Sequence, residues 1–308
     1  LKRDDNKNNI KLGDDNIMRE IILHCFNWKL TDITKDLKTI KECGYTSIQV
    51  SPIQSCSKSS EWWALYQPLA FTIGNRTGSK EDLIELCAEA KKLGIKIIVD
   101  VVLRHCATDD GQLIPSKTVD SKLRSNPKFW TNAKNATNFE SRDEVINGAF
   151  GLPMLDYNNT ELQDIYIEYL QELKDCNIDG FRVDMGKHLS LPSEGSNFWE
   201  RVFGQFKDMF NYIECLDCSK ELLDEYTKFT TVLTNDNASD QSKMVIFIMS
   251  HDTELTFQST IHITDDLIKS EWDNLLKFYK ESHVLFYCRP YSDVWKSAEI
   301  KKSNLENR

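Results

Sequence analysis

The chain has 308 residues, 40% hydrophobic and 28% charged, with a formal net charge of −10. That is an ordinary globular composition, long enough for a single α/β barrel. The acidic balance argues against nucleic acid or an anionic membrane as the main partner, and no apolar run approaches the roughly 20 residues that span a bilayer.

Residues 1–17 form a polar lead, LKRDDNKNNIKLGDDNI, without an apolar signal core. REIILHCF (Arg19 to Phe26) then reads as a buried strand, and LTDITKDLKTIKECG as a helix stopped by Gly44. YTSIQVS is a second strand, followed by a loop carrying EWWALYQP (Glu61 to Pro68). Ser79 is placed to cap the next helix, SKEDLIELCAEAKKLG, ahead of a third strand, IKIIVDVV. Strand, helix and strand in short alternation predict a parallel sheet covered by helices.

The alternation breaks over residues 106–155, rich in Asn, Ser, Thr and Asp. A structureless loop of that length is improbable inside a domain, so a small inserted domain is expected there. Alternation resumes with a helix from Thr160, strand IDGFRVD, a helix over FWERVFGQFKDMF, strand NYIECLD and helix SKELLDEYTKF. TTVLT, MVIFIMS and HVLFYC complete eight strands. Only NDNASDQSK separates the sixth from the seventh, which leaves no room for a full helix. The expected fold is therefore a (β/α)8 TIM barrel built from 18–105 and 156–308, with a trimmed sixth helix and a curtailed end.

Nine cysteines lack any framework spacing. Cys25, Cys43, Cys87 and Cys288 fall inside apolar patterns, where a thiol packs as a small hydrophobe. Cys215 and Cys218 match C-x-x-C, but no second pair or suitable His spacing completes a zinc site, so core packing is favoured over redox or metal use. Cysteine usage leans towards a reducing compartment.

Four stretches run from apolar residues straight into ionisable ones: DVVLRH, GFRVDMGKH, YIECLD and IFIMSHD. A lone acid at a strand end is usually solvated or capping a helix. In a closed parallel barrel, however, all strands converge at their carboxyl ends on one rim, where chemistry collects. Asp184, Glu214 and Asp252 are thereby expected to share one cleft.

Together these stretches resemble the four hallmark regions of the α-amylase superfamily of glycoside hydrolases, in order, and bacterial α-amylases in particular. WWALYQP matches a further signature, and the insertion falls where that family places its B domain. The resemblance spans about Arg19 to Pro290. It implies a retaining hydrolase acting on α-1,4-glucosidic bonds of starch, glycogen or maltodextrins, with Asp184 as nucleophile, Glu214 as general acid/base and Asp252 as the third carboxylate. It also implies that Arg182 keeps Asp184 ionised and that Asp184 and Glu214 titrate apart. His105, His188 and His251 would bond sugar hydroxyls, Tyr66 would stack on the sugar, Trp62, Trp63 and Gln67 would line neighbouring subsites, and Lys187 would lie on the leaving-group side. His24, His262 and His283 match no hallmark position and are read as structural.

The chain also departs from that pattern. Where the resemblance implies calcium ligands stand Arg104 and Met154, and neither a guanidinium nor a thioether suits a hard cation. No metal or cofactor is therefore expected, and Arg104 is expected to put its own charge in the ion's place. The sequence ends shortly after the eighth strand with no β-sandwich C domain, leaving barrel surface for a second subunit or chain to cover. An α-glucan transglycosylase, or a degenerate barrel that binds carbohydrate or acts as a scaffold with little turnover, are the alternatives.

Overall fold

β-branched and aromatic runs become the strands of a closed barrel in the computed structural model, which describes residues 19–256 and 263–308. The polar lead and His262 lie outside the described residues. The barrel strands are β1 (Ile21–Cys25), β2 (Ser47–Val50), β3 (Lys96–Val101), β4 (Gly180–Val183), β5 (Tyr212–Glu214), β6 (Thr231–Leu233), β7 (Met244–Phe247) and β8 (His283–Tyr287). All pairings are parallel; β1 closes the ring, with Ile21 opposite Val284 of β8 and Ile22 opposite Ser47 of β2. Each strand is shorter than the apolar run that signalled it. The residues left over turn out of the ladder at the rim.

Local chemistry explains the covering helices. Leu30–Glu42 buries Leu30, Ile33, Leu37 and Ile40, one face at helical spacing. Lys80–Lys92 starts at a capping box: Asp82 N–H donates to Ser79 Oγ at 3.1 Å, and Ser79 N–H donates to Asp82 Oδ2 at 2.8 Å. Asn159 caps Thr160–Asp175.

Two connections differ from expectation. The helix expected across 198–210 is only Phe198–Arg201, followed by a 3-10 turn at Phe203–Phe206. Gly204 weakens the helix there, and a three-residue repeat sets Phe203 and Phe206 on one side. Both rings pack on Phe181, at centroid distances of 6.3 and 5.6 Å. The chain end is less curtailed than expected, because Ala298–Glu306 is helical. Its Asn304 accepts from Trp272 Nε1 and donates to Cys43 O, tying the last helix to the first. Between β6 and β7 there is only the 3-10 turn Gln241–Lys243, in line with the short spacing.

Residues 106–155 hold two short helices, Ser121–Arg124 and Arg142–Asn147, and meet the rim through the bridge His105–Met154, while the bridge Trp130–Leu155 lies within the segment. At the opposite end of the barrel, buried Glu20 accepts from Thr46, Ser47 and Lys96. Polar pairing at that end serves stability, since barrel chemistry sits at the other. Among the described residues no helix is long and apolar enough to cross a membrane.

Gly180 opens β4 where a Cβ would lie 1.8 Å from Phe210 O. Gly180→Ala is expected to cost about 3 kcal/mol through forced separation of the two segments. Gly195, at φ 86° with open space around it, should cost only about 1 kcal/mol as alanine. Urea unfolding midpoints of the two variants check the difference.

Candidate active site

Alternation along β4 turns Arg182 into the barrel and Phe181 towards the helices, and Asp184 follows on the inward side just past the strand end. Asp100 of β3 is the register partner of Arg182, so the two charges meet across adjacent strands. Arg182 Nη1 donates to both oxygens of Asp100, at 3.0 and 3.1 Å, and to Asp184 Oδ1 at 2.9 Å. Its Nη2 lies 2.9 Å from Glu214 Oε1, at the end of β5. The guanidinium is 1% exposed. One buried cation thus holds three carboxylates.

Each carboxylate has further support. Tyr66 OH donates to Asp100 Oδ2 at 2.8 Å, and Met185 N–H donates to Glu214 Oε2 at 3.0 Å. Met185 reaches that position at φ 51°, a left-handed conformation that is strained for a side chain of this size. Asp252 stands in the first turn of helix His251–Thr256, with its Oδ1 3.7 Å from His251 Nε2.

Burial raises the pKa of Asp184, and Arg182 offsets that rise without reversing it. The lowering effect expected of Arg182 is present, set against a larger opposing effect of burial. Glu214 is also raised by burial, and the charge of Asp184 pushes it further while Arg182 opposes. Both acids are thus raised by burial with Arg182 opposing, and the charge of Asp184 acts further on Glu214. Asp252 is pushed up to about 7 by burial and then by the charges of Glu214 and Asp184, against the opposing effect of Arg182. Asp252 thus lies within electrostatic reach of both other acids.

The histidines are neutral by burial. The pKa of His105 falls to about 4, that of His188 to about 3, and that of His251 well below its usual value. His105 Nε2 lies 2.8 Å from Tyr66 O and His188 Nδ1 2.9 Å from Val145 O. A carbonyl only accepts, so those nitrogens carry the protons and each ring keeps its other nitrogen as an acceptor. The Tyr66 ring stacks on His251 at 5.4 Å while its hydroxyl donates to Asp100. Trp62 packs edge-on to His251 at 5.9 Å, and Trp63 is 41% exposed. Lys187 Nζ donates to Leu216 O at 2.5 Å, and Gln67 lies beyond Tyr66, its carbonyl accepting from Ser57 N–H. A cleft of about 620 Å³ opens beside Trp62, lined among the described residues by Phe26, Asn27, Trp28, Leu255 and Tyr291.

Four contributors, Asp100, His24, Gln49 and Tyr212, escaped sequence reasoning. Asp100 was quoted in its stretch without a role, although its register partner is Arg182. His24 lies in the wall, 5.6 Å from the His251 ring, with Nε2 3.1 Å from Gln49 Nε2. Gln49 in turn accepts from Tyr212 OH at 2.7 Å. Polar residues at inward positions of β1, β2 and β5 were the available signal.

Arg104, 1% exposed, hydrogen-bonds to backbone carbonyls rather than to the carboxylates, and its charge adds to that of Arg182 in lowering the Asp184 pKa. Its Nε donates to His188 O at 3.1 Å, and its Nη2 to Gly148 O at 2.6 Å and Ile146 O at 3.2 Å. Met154 is packed in the apolar core.

The family model for the α-amylase catalytic domain matches residues 26–286. An α-amylase of Clostridium acetobutylicum is 30% identical over 327 aligned residues, covering 92% of this chain and 43% of that protein. One from Butyrivibrio fibrisolvens is 24% identical, covering 94% and 38%. The chain thus spans less than half the length of these relatives. Among solved structures, α-amylase I of Eisenia fetida superposes with TM-score 0.73 at 21% identity, covering 89% of this chain and 68% of that one. The acarbose complex of a Geobacillus thermoleovorans α-amylase gives 0.74 at 18%, covering 94% and 78%. Barrel and rim define a parallel α/β barrel of the sugar-hydrolase type. Within that class the chain belongs to the α-amylase family.

The calcium that this family implies does not fit the donors present. The carbonyls of Ile146, Gly148 and His188 already accept from a guanidinium, and a second cation beside it would be repelled.

An acid whose folded pKa exceeds its unfolded value costs stability once pH exceeds the unfolded value; the cost is complete above the folded one. For Asp252 that window runs from its ordinary value of 3.8 up to about 7. Asp252→Asn is expected to raise the thermal midpoint by a few degrees at about pH 8 and by much less at about pH 3.5, where the carboxyl is mostly protonated in both states. Calorimetry at the two pH values checks this.

Proposed function

We propose that the chain is a retaining glycoside hydrolase that cleaves α-1,4-glucosidic bonds in starch, glycogen or maltodextrins through a covalent glycosyl-enzyme. The observation that carries this reading is the sharing of Arg182 between Asp184 and Glu214, which keeps the two carboxyl groups near each other. Retention needs a separation of roughly 5–5.5 Å between attacker and acid.

In the first step a carboxylate oxygen of Asp184 attacks the anomeric carbon as Glu214 gives its proton to the departing glycosidic oxygen. In the second, Glu214 takes a proton from water, the oxygen of that water attacks the anomeric carbon, and Asp184 leaves as carboxylate. Two inversions return the starting configuration. The sugar carries positive charge in both transition states. Four acids against one central guanidinium leave surplus negative potential to meet it, and burial strengthens that field.

Neutral His105 and His188 would accept from sugar hydroxyls through their free nitrogens, and His251 would present its ring edge beside Asp252. Lys187 would lie towards the leaving group. Trp62, Trp63 and Gln67 would line neighbouring subsites, with the cleft beside Trp62 receiving further glucose units. An oligosaccharide substrate is supported by solved relatives in complex with maltohexaose and acarbose. No metal or cofactor has a role in this scheme, and Arg104 takes over the joining of insert to rim.

Asp184→Asn is expected to lower maltooligosaccharide hydrolysis by more than about 10³-fold, with the first product formed by the native chain bearing the α-anomer in NMR. Initial release of the β-anomer, or an active Asp184→Asn variant, would overturn the scheme. Exhaustive chelation should leave both rate and thermal midpoint unchanged. A loss restored by calcium would show that Arg104 does not replace the ion.

A further inference from the structure

Glu214 ends β5, and the next four residues bring two thiols together beside it. Cys215 is buried, with its N–H donating to Leu233 O of β6 at 3.0 Å. The chain reverses through Leu216 and Asp217, the latter at φ 53°, and returns Cys218 with its Sγ 2.8 Å from Cys215 Sγ. That turn is pinned on both sides: Cys218 N–H donates to Asp236 Oδ2 at 2.9 Å, and Leu216 O accepts from Lys187 Nζ. Of the nine cysteines, eight are buried and Cys218 alone is partly exposed.

The two thiols are chemically unequal. Cys218 has its pKa lowered, first by the hydrogen bond from Cys215 and further by the nearby charges of Lys187 and Arg142. Cys215 is raised by burial. An accessible thiol with thiolate character beside a buried partner is the arrangement that exchanges with disulfides. The contrasting pair Cys25 and Cys288 is buried at both sulfurs and offers an oxidant no entry.

We propose that Cys215 and Cys218 form a redox-active dithiol that low-molecular-weight disulfides close, and that closure slows the neighbouring Glu214. The Cys218 thiolate attacks one sulfur of the incoming disulfide, forming a mixed disulfide and expelling one thiolate. Cys215 then loses its proton to solvent and attacks Cys218 Sγ, expelling the second thiolate. Two protein thiols are oxidised and one small disulfide is reduced to two thiols. Closing the sulfurs to about 2.05 Å draws Cys215 towards Cys218 and shifts the Leu216 peptide between them. That peptide holds Lys187, and Glu214 is bonded directly to Cys215. The effect on turnover rests on the hydrolytic reading above; the dithiol itself does not.

The test equilibrates the full chain with reduced and oxidised glutathione at several ratios, maps thiols by alkylation and peptide mass spectrometry, and assays maltooligosaccharide hydrolysis in the same samples. Oxidising samples are expected to hold one disulfide, Cys215 to Cys218, and to lose rate on the order of tenfold, with dithiothreitol restoring it. Cys218→Ser should keep the basal rate and lose the response, and Cys218→Ala provides a second variant should the first fold poorly. Free Cys215 and Cys218 after oxidation would overturn the dithiol, and a mapped disulfide with unchanged rate would overturn its coupling to Glu214. Absence of hydrolysis in every redox state would count against the hydrolytic reading alone, since the thiol map still decides the dithiol.

Discussion

A single buried guanidinium organises the rim. Arg182 reaches Asp100, Asp184 and Glu214 at hydrogen-bond distance, and no other cation lies within ion-pairing distance of those three acids among the described residues. Carboxylates brought this close out of water repel each other strongly, and a shared cation makes the cluster tolerable. It does not neutralise it. Burial, with the charges of neighbouring acids adding to it, keeps Glu214 and Asp252 above their ordinary pKa values, and the surplus of acids over cations would stabilise a positively charged sugar. A strained Met185 and the buried neutral histidines are further costs that the surrounding barrel must bear.

A second buried cation does a different task. Arg104 donates to backbone carbonyls of the inserted segment and of His188, so it joins the insert to the turn that follows Asp184. Carbonyl dipoles converging on a positive charge are also how a hard metal ion is held. Here the charge is covalently part of the chain, and Phe150 covers the guanidinium at 5.1 Å. The His188 ring is fixed by the same segment through Val145 O, so the geometry of the sugar-facing rim depends on how the insert docks.

Much of this was legible in the sequence because two signals coincide at each strand end. An apolar run marks the strand, and the abrupt change to ionisable residues marks the rim; hence all eight strands, and the placement of Asp184, Glu214 and Asp252 at or just beyond strand ends, could be read. Asp100 was hidden because a polar residue inside an apolar run looks like an interruption, and only the register that sets it opposite Arg182 reveals its partner. His24, Gln49 and Tyr212 escaped for the same reason. The broken helix after β4 reflects packing of Phe203 and Phe206 on Phe181, a tertiary demand that helical propensity does not encode. The bond from the Tyr66 hydroxyl to Asp100 was likewise invisible in the sequence.

The account stands on Asp184 being the atom donor that bonds to sugar while Glu214 manages the proton. Incubating the chain with a fluorinated glucosyl fluoride, which slows departure of the glycosyl group, and locating the adduct by peptide mass spectrometry would test this most directly. A hexosyl adduct on Asp184 is the predicted result. An adduct on Glu214 or Asp252 would contradict the assignment of roles.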